Sequence, residues 1–259
     1  MDKKKNKTFW WLVIASVVIA MPTIAYFIST ILRVKKIEKA TIVTYTAFGI
    51  DIPANYSIHG IDISSHQNYI HWPAVKAMEI KKIKIGFAFV KATEGLNDTD
   101  KFFKFNWKQL KEDSIVRGAY LFFLATKSGK KQAENFIKTV PKLETGDLPP
   151  VLDVEELYGV KPALMRARVQ ECLNTLEAAY KVKPIIYSYA DFYETNLGKE
   201  FNSYPLWIAH YFEKEKPRVS REWSFWQHSE NGRVNGITTN VDFNVFKGDS
   251  AAFRNMLVK

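Results

Sequence analysis

Asp153 and Glu155 stand two residues apart at the end of an apolar run, residues 148–156, LPPVLDVEE. If that run is a strand, its facing repeats every second residue, and both side chains leave one face about 7 Å apart along the chain. Paired carboxyls at this spacing suit hydrolysis of a sugar bond. One, kept protonated, donates to the leaving oxygen, while its ionised neighbour stabilises the positive charge developing at the anomeric carbon. Mutual repulsion helps drive the two pKa values apart. An acidic pair after an apolar strand also serves as a helix cap or a solvated loop, so the rest of the chain must decide between these roles.

Few other residues offer chemistry on their own. Cys172 is the single cysteine; it falls in a helical pattern among apolar neighbours and reads as a small core residue, and the chain forms no internal disulfide. The five histidines, His59, His66, His71, His210 and His228, show neither HExxH nor paired-ligand spacing, so neither a metal nor another cofactor is expected. Lys91 and Glu94 read as an ion pair of small energetic weight. Asp51 lies in GIDIP at 49–53, an echo of GIDIS at 60–64. Pro53 removes a strand donor there, and one short echo is not a repeat, so Asp51 is set aside.

The elements that would position these groups alternate. Short apolar strands are predicted at 59–64, 85–92, 116–124, 150–154, 184–189, 205–209, 223–228 and 240–245. Helical patterns fall at 72–78, 101–112, 129–140, 163–180, 189–197 and 250–257, with no room for helices between the last strands. Strands of nearly continuous apolar character alternating with helices imply a parallel α/β barrel, whose active residues gather at the C-terminal strand ends. Asp62, Lys91, Tyr120, Asp153, Glu155, Tyr187 and Asp242 all fall at or near those predicted ends.

A chain of 259 residues with a net charge of +10 invites a nucleic-acid reading until the charge is divided. Residues 1–40 hold eight Lys or Arg against Asp2 and Glu38, so this segment carries +6 and the remainder only +4. No stripe of Arg and Lys interleaved with aromatics follows, and no nucleic-acid partner is expected. Residues 8–32 run for 25 positions without a charge, long enough to cross a bilayer as a helix, with Lys3–Lys7 before them and Arg33, Lys35 and Lys36 after. The apolar core is longer than a cleavable signal requires and Thr23-Ile24-Ala25 is a poor cleavage site, so an uncleaved anchor is expected. The chain then divides into a cytoplasmic basic tail at 1–7, a transmembrane anchor at 8–32, a stalk at 33–57 and a catalytic domain at 58–259. In this division the protein is single-pass, with its catalytic domain outside the cytoplasm, on the periplasmic or cell-wall side.

Eight segments together carry a resemblance. GIDISSHQ (60–67), FVKATEG (89–95), GAYLFF (118–123), LPPVLDVE (148–155), KPIIYS (183–188), YPLWIAHY (204–211), FWQHS (225–229) and VDFNVF (241–246) are similar, in this order, to the motif set of the glycoside hydrolase family 25 lysozymes, the Chalaropsis-type muramidases. The resemblance spans about residues 59–246. It implies a modified TIM-like α/β barrel with eight strands and fewer than eight helices, here preceded by a single transmembrane helix. It further implies cleavage of the β-1,4 bond between N-acetylmuramic acid and N-acetylglucosamine in peptidoglycan, whose glycan strands would be the partner. Carried over by motif, Asp62, Asp153, Glu155 and Asp242 are the catalytic candidates, with Glu155 the acid. Where the family often has His after the Tyr of GAYHF, Leu121 stands here; beside Tyr120 on a strand it should face the opposite way and alter packing only.

Tyr120, Tyr187, Trp207, Tyr211 and Trp226 suit stacking against sugar faces, with Gln227 and Lys91 as polar substrate contacts, although about half of these aromatics would serve the core alone. Asp62 also has a plain role open to it, capping the turn at 64–65, and Asp242 another, pairing with a strand-end lysine. The intermediate can be handled by Asp62 or Asp242 as nucleophile, or by the substrate's own acetamido group oriented by an aspartate, Asp153 being the expected one. Two other readings are a non-catalytic membrane-tethered glycan-binding module, which would not need the Asp153–Glu155 pair, and a glycosidase for another glycan.

Overall fold

The computed structural model describes Met21 and residues 42–259. Twelve strands are β1 (Ile42–Tyr45), β2 (Ile50–Pro53), β3 (His59–Ile63), β4 (Glu79–Ile80), β5 (Ile83–Glu94), β6 (Asp98–Thr99), β7 (Val116–Phe122), β8 (Val151–Asp153), β9 (Ile185–Tyr189), β10 (Leu206–Ala209), β11 (Phe225–Gly232) and β12 (Val241–Phe246). Eight of them close a barrel in the order β3, β5, β7, β8, β9, β10, β11, β12 and back to β3. The helices are α1 (Trp72–Ala77), α2 (Phe103–Glu112), α3 (Gly129–Thr139), α4 (Pro162–Tyr180), α5 (Ala190–Phe192) and α6 (Ser250–Met256). No helix intervenes between β10 and β11 or between β11 and β12. The pattern predicted at 189–197 becomes the single turn α5 followed by a wider π turn at Tyr193–Leu197 that ends at Gly198, φ +90°.

The barrel wall follows from period-two alternation with both faces covered. Phe87, Phe89, Val151, Ile185, Trp207, Phe225 and Phe246 pack into the interior. Their neighbours Ala88, Val90, Leu152, Ile186, Ile208, Trp226 and Val245 pack outward with the rest of the core. Such strands read as continuous apolar runs. Two glycines make room for the interior rings: a Cβ on Gly60 would come within 2.5 Å of the Phe87 ring, and one on Gly118 within 2.5 Å of the Phe89 ring. Leu121 is buried in the outer layer, and its neighbour Tyr120 is turned inward. Cys172 is buried and free on α4, and burial pushes its thiol up and out of reach of ionisation.

Two expectations change. The barrel is not wholly parallel: β12 runs antiparallel to both β11 and β3. The connection from β11 to β12 holds no helix that would carry the chain back along the wall, so the chain returns as a hairpin. The stalk expected at 33–57 is also shorter than it reads. Residues from Ile42 form the antiparallel hairpin β1–β2, whose Phe48 and Ile52 are fully buried. Phe48 meets Phe243 edge to face at 5.4 Å, and its carbonyl accepts from Arg233 N at 2.8 Å. Mixed polarity and Pro53 disguise a hairpin that is stabilised by residues nearly two hundred positions away. Apart from Met21, the basic tail and the apolar run 8–32 lie outside the described residues; among those described, no helix is long and apolar enough to cross a membrane.

Candidate active site

Strand parity brings the acids together. On β3, Gly60 and Asp62 share the inward face; on β5, Phe87, Phe89 and Lys91; on β8 and just beyond it, Val151, Asp153 and Glu155. β12 enters the barrel mouth with Asp242, because its reversed direction sets its first residues beside the last residues of β3: Asp242 pairs with Asp62, and Asn244 with Gly60. The result is a cleft of about 250 Å³ at the C-terminal end of the parallel strands. All four acidic candidates line it, with Tyr120, Tyr187, Trp207, Tyr211, Gln227 and Lys91.

Trp226 does not belong there. It alternates with inward-facing Phe225 and Gln227, packs against Tyr56 and Trp223 outside the barrel, and donates from Nε1 to the His210 carbonyl at 2.9 Å. Five residues that the motifs did not single out do line the cleft or support it. Ser64, Phe122, Tyr189 and Glu230 are in the lining, and Asn244 is buried beneath it. Asn244 shares the parity of Asp242 within VDFN and was open to reading. Glu230 follows a register shift between Gln227 and Ser229, which breaks the parity.

A chain of side-chain hydrogen bonds fixes Asp62. Burial holds the Tyr187 and Tyr211 phenols well above their usual range, so both stay protonated and donate to Gln227 Oε1, at 2.8 and 2.7 Å. The Gln227 amide is thereby oriented, and its Nε2 donates to Asp62 Oδ2 at 2.9 Å. Trp207 Nε1 sets Asn244 in the same way, donating to its Oδ1 at 2.7 Å, and Asn244 Nδ2 reaches the same Asp62 oxygen at 2.7 Å. Trp207 itself stacks on Phe89 with centroids 4.2 Å apart. Asp62 is therefore a buried hub and not the cap of its turn; Ser64 caps that turn, accepting from His66 N at 3.1 Å.

The acids are arranged in two pairs. Burial, the adjacent Asp62 charge and the hydrogen bond to Asp62 push Asp242 up to about 9, so it carries a proton at neutral pH and shares it with Asp62. In the second pair, burial followed by the charge of Glu155 pushes Asp153 well above the carboxylate range. Burial also raises Glu155, while its hydrogen bond with Asp153 draws it part of the way back. The two carboxyls thus titrate as a coupled pair, with Asp153 the more deeply buried of the two. Asp153 Oδ1 is buried without a hydrogen-bond partner among the described residues. Lys91 is the cation at this end, bonded to Glu94 at 2.6 Å and lying 4.7 Å over the Phe122 ring. Among the described residues, no group of three His, Cys, Asp or Glu side chains is placed to hold a metal ion.

An aromatic-rimmed cleft with adjacent carboxyls raised by burial can deliver a proton to a leaving oxygen and support a cation at the neighbouring carbon, which is the chemistry of a glycoside hydrolase. The chain belongs to the glycosyl hydrolases family 25, whose family model matches residues 61–237. It is 44% identical to the Escherichia coli protein YegX over 227 residues, covering 87% of this chain and 83% of that protein. It is 34% identical to lysozyme M1 of Streptomyces globisporus over 219 residues, covering 77% of this chain and 71% of that one. Among solved structures, a family 25 glycosyl hydrolase from Bacillus anthracis superposes with a TM-score of 0.73 at 31% identity, covering 83% of this chain and all (100%) of that one. A bacterial lysozyme from Streptomyces coelicolor gives 0.72 at 31% identity, covering 77% and 96%.

Proposed function

We propose that this enzyme is a muramidase that cleaves the β-1,4 bond between N-acetylmuramic acid and N-acetylglucosamine with Glu155 as acid and the substrate's acetamido group as nucleophile. The observation that carries this reading is the adjacent Asp153 and Glu155 carboxyls in the cleft lining beside the buried, unpartnered Asp153 Oδ1. An acetamido N–H donating to Asp153 would stabilise its carboxylate, leaving Glu155 to hold the proton of the coupled pair. Glu155 then gives that proton to the glycosidic oxygen as the acetamido carbonyl oxygen attacks the anomeric carbon and the glycosidic bond breaks. Water opens the resulting ring at the same carbon and returns a proton to Glu155, with net retention of configuration. Asp62, with one oxygen already taken by Gln227 and Asn244, serves better to hold Asp242 than to attack carbon.

Digestion of purified peptidoglycan, reduction of the products with borohydride and analysis of the reduced sugar test the reading. Reduced muramic acid is expected at the new chain ends. Reduced glucosamine would transfer the cut to the other bond, and no reduced sugar on this polymer would leave a glycosidase for another glycan.

We also propose that residues 8–32 anchor the protein in a membrane, with residues 1–7 in the cytoplasm and the barrel on the cell-wall side. The charge-free run and the dense basic cluster before it support this orientation.

A further inference from the structure

A second cavity, of about 640 Å³, opens beside the catalytic cleft and shares Tyr211 and Glu230 with it. Its walls are β2, the loop after β10 and the end of β11, with Asp51, Phe212, Lys214 and His228 in the lining. β2 precedes the residues matched by the family model, so this groove depends on the chain's own hairpin.

The lining is equipped for a ligand of mixed charge. Asp51 and Glu230 form no ion pair among the described residues, and neither does Lys214, whereas Glu213 is bonded to Arg218 and His210. His228 is 7% exposed, and its Nε2 has no partner among the described residues. Phe212 is 91% exposed at the mouth, an apolar ring left to water next to a binding cleft.

We propose that the groove binds the peptide stem carried by muramic acid, taking its ammonium group between Asp51 and Glu230 and a stem carboxylate at Lys214, with Phe212 packed on its aliphatic part. The proposal rests on the muramidase reading above. A glycan strand offers this lining no cation and, once stripped of its peptides, only the lactyl carboxylate of muramic acid, while a stem peptide carries charges of both signs. Since the groove joins the cleft at Tyr211 and Glu230, a branch from a sugar seated in the cleft enters it directly.

The test compares the full-length chain in detergent micelles on intact peptidoglycan and on the same glycan stripped of peptides by an amidase. Phe212→Ala and Asp51→Asn should each lower kcat/KM on intact polymer by about tenfold, the scale of one good contact, and leave the rate on stripped glycan within about twofold. Phe212 is almost wholly exposed, so its variant keeps the test sound if Asp51→Asn, which weakens the charge-assisted bond from Thr44, loosens the hairpin. Equal losses on both polymers would show a glycan subsite and overturn the proposal, as would no loss on either. A wild-type enzyme that cleaves neither polymer would remove the muramidase reading and the groove's role with it.

Discussion

Asp242 stands directly across from Asp62 in the antiparallel register of β12 and β3. Burial and the neighbouring charge raise Asp242 to about 9 from an ordinary value of 3.8, so across that interval the folded protein holds a proton that the unfolded chain releases. Stability contributed in this way is present at low pH and is lost as pH rises toward 9. Asn at position 242 keeps a donor for Asp62 and removes the ionisation. Thermal melting of Asp242→Asn and wild type across this range should therefore show the variant gaining on wild type steadily with pH. A difference in Tm that does not change with pH would refute the shared proton.

Gln227 joins two phenols to Asp62, and Leu of similar size cannot. Gln227→Leu should leave the Tyr187 and Tyr211 hydroxyls and one Asp62 oxygen short of partners, costing about 1–3 kcal/mol for each group left unsatisfied and lowering kcat at least about tenfold through a misplaced Asp62. Tyr211→Phe removes only one of two donors to the same oxygen and should cost about 1 kcal/mol. Urea unfolding and turnover on peptidoglycan measure both, and equal effects of the two variants would contradict the network.

At the other end of the barrel, Arg117 near the start of β7 is buried with Asp147, its Nε donating at 2.8 Å, and its guanidinium lies 4.1 Å over the Trp107 ring. Asp147→Ala leaves a buried guanidinium with only Glu144 as an acidic partner and should destabilise the fold by about 3–5 kcal/mol. Activity per folded molecule should not change, because Arg117 is remote from the cleft residues at the end of its strand. Active-site titration beside denaturant unfolding separates the two effects.

The eight barrel strands and their inward faces were legible because a strand buried on both faces writes an apolar run whose alternation survives in the residues at its mouth, as in Asp62, Lys91 and Asp153. The same parity excludes Trp226 once Gln227 is placed inside. Strand direction is not written locally: nothing within VDFNVF states that β12 runs backward, and Asp242 reaches the mouth only because it does. The hairpin at 42–53 was hidden for a related reason, since its apolar residues find partners in Phe243 and near Arg233 that no local pattern reveals. The deeper burial of Asp153 beside Glu155 was not legible either, since it arises in the fold and not in the motif.

The anchor proposed at residues 8–32 is tested by its behaviour in the cell. In cell fractionation the protein should stay with membranes through high salt and alkaline washing, and protease added outside the inner membrane should digest the barrel. A soluble form beginning after Ala25 would show cleavage, and protection from that protease would reverse the orientation.

Glu155→Gln bears most directly on the mechanism. Gln keeps the size of the side chain and can still accept from Asp153, but it has no proton to give the leaving oxygen. Initial rates on peptidoglycan, measured as new reducing ends with folding checked by circular dichroism, should fall by on the order of 10²–10⁴ with the melting curve retained. A folded Glu155→Gln enzyme with near-normal turnover would contradict Glu155 as the acid.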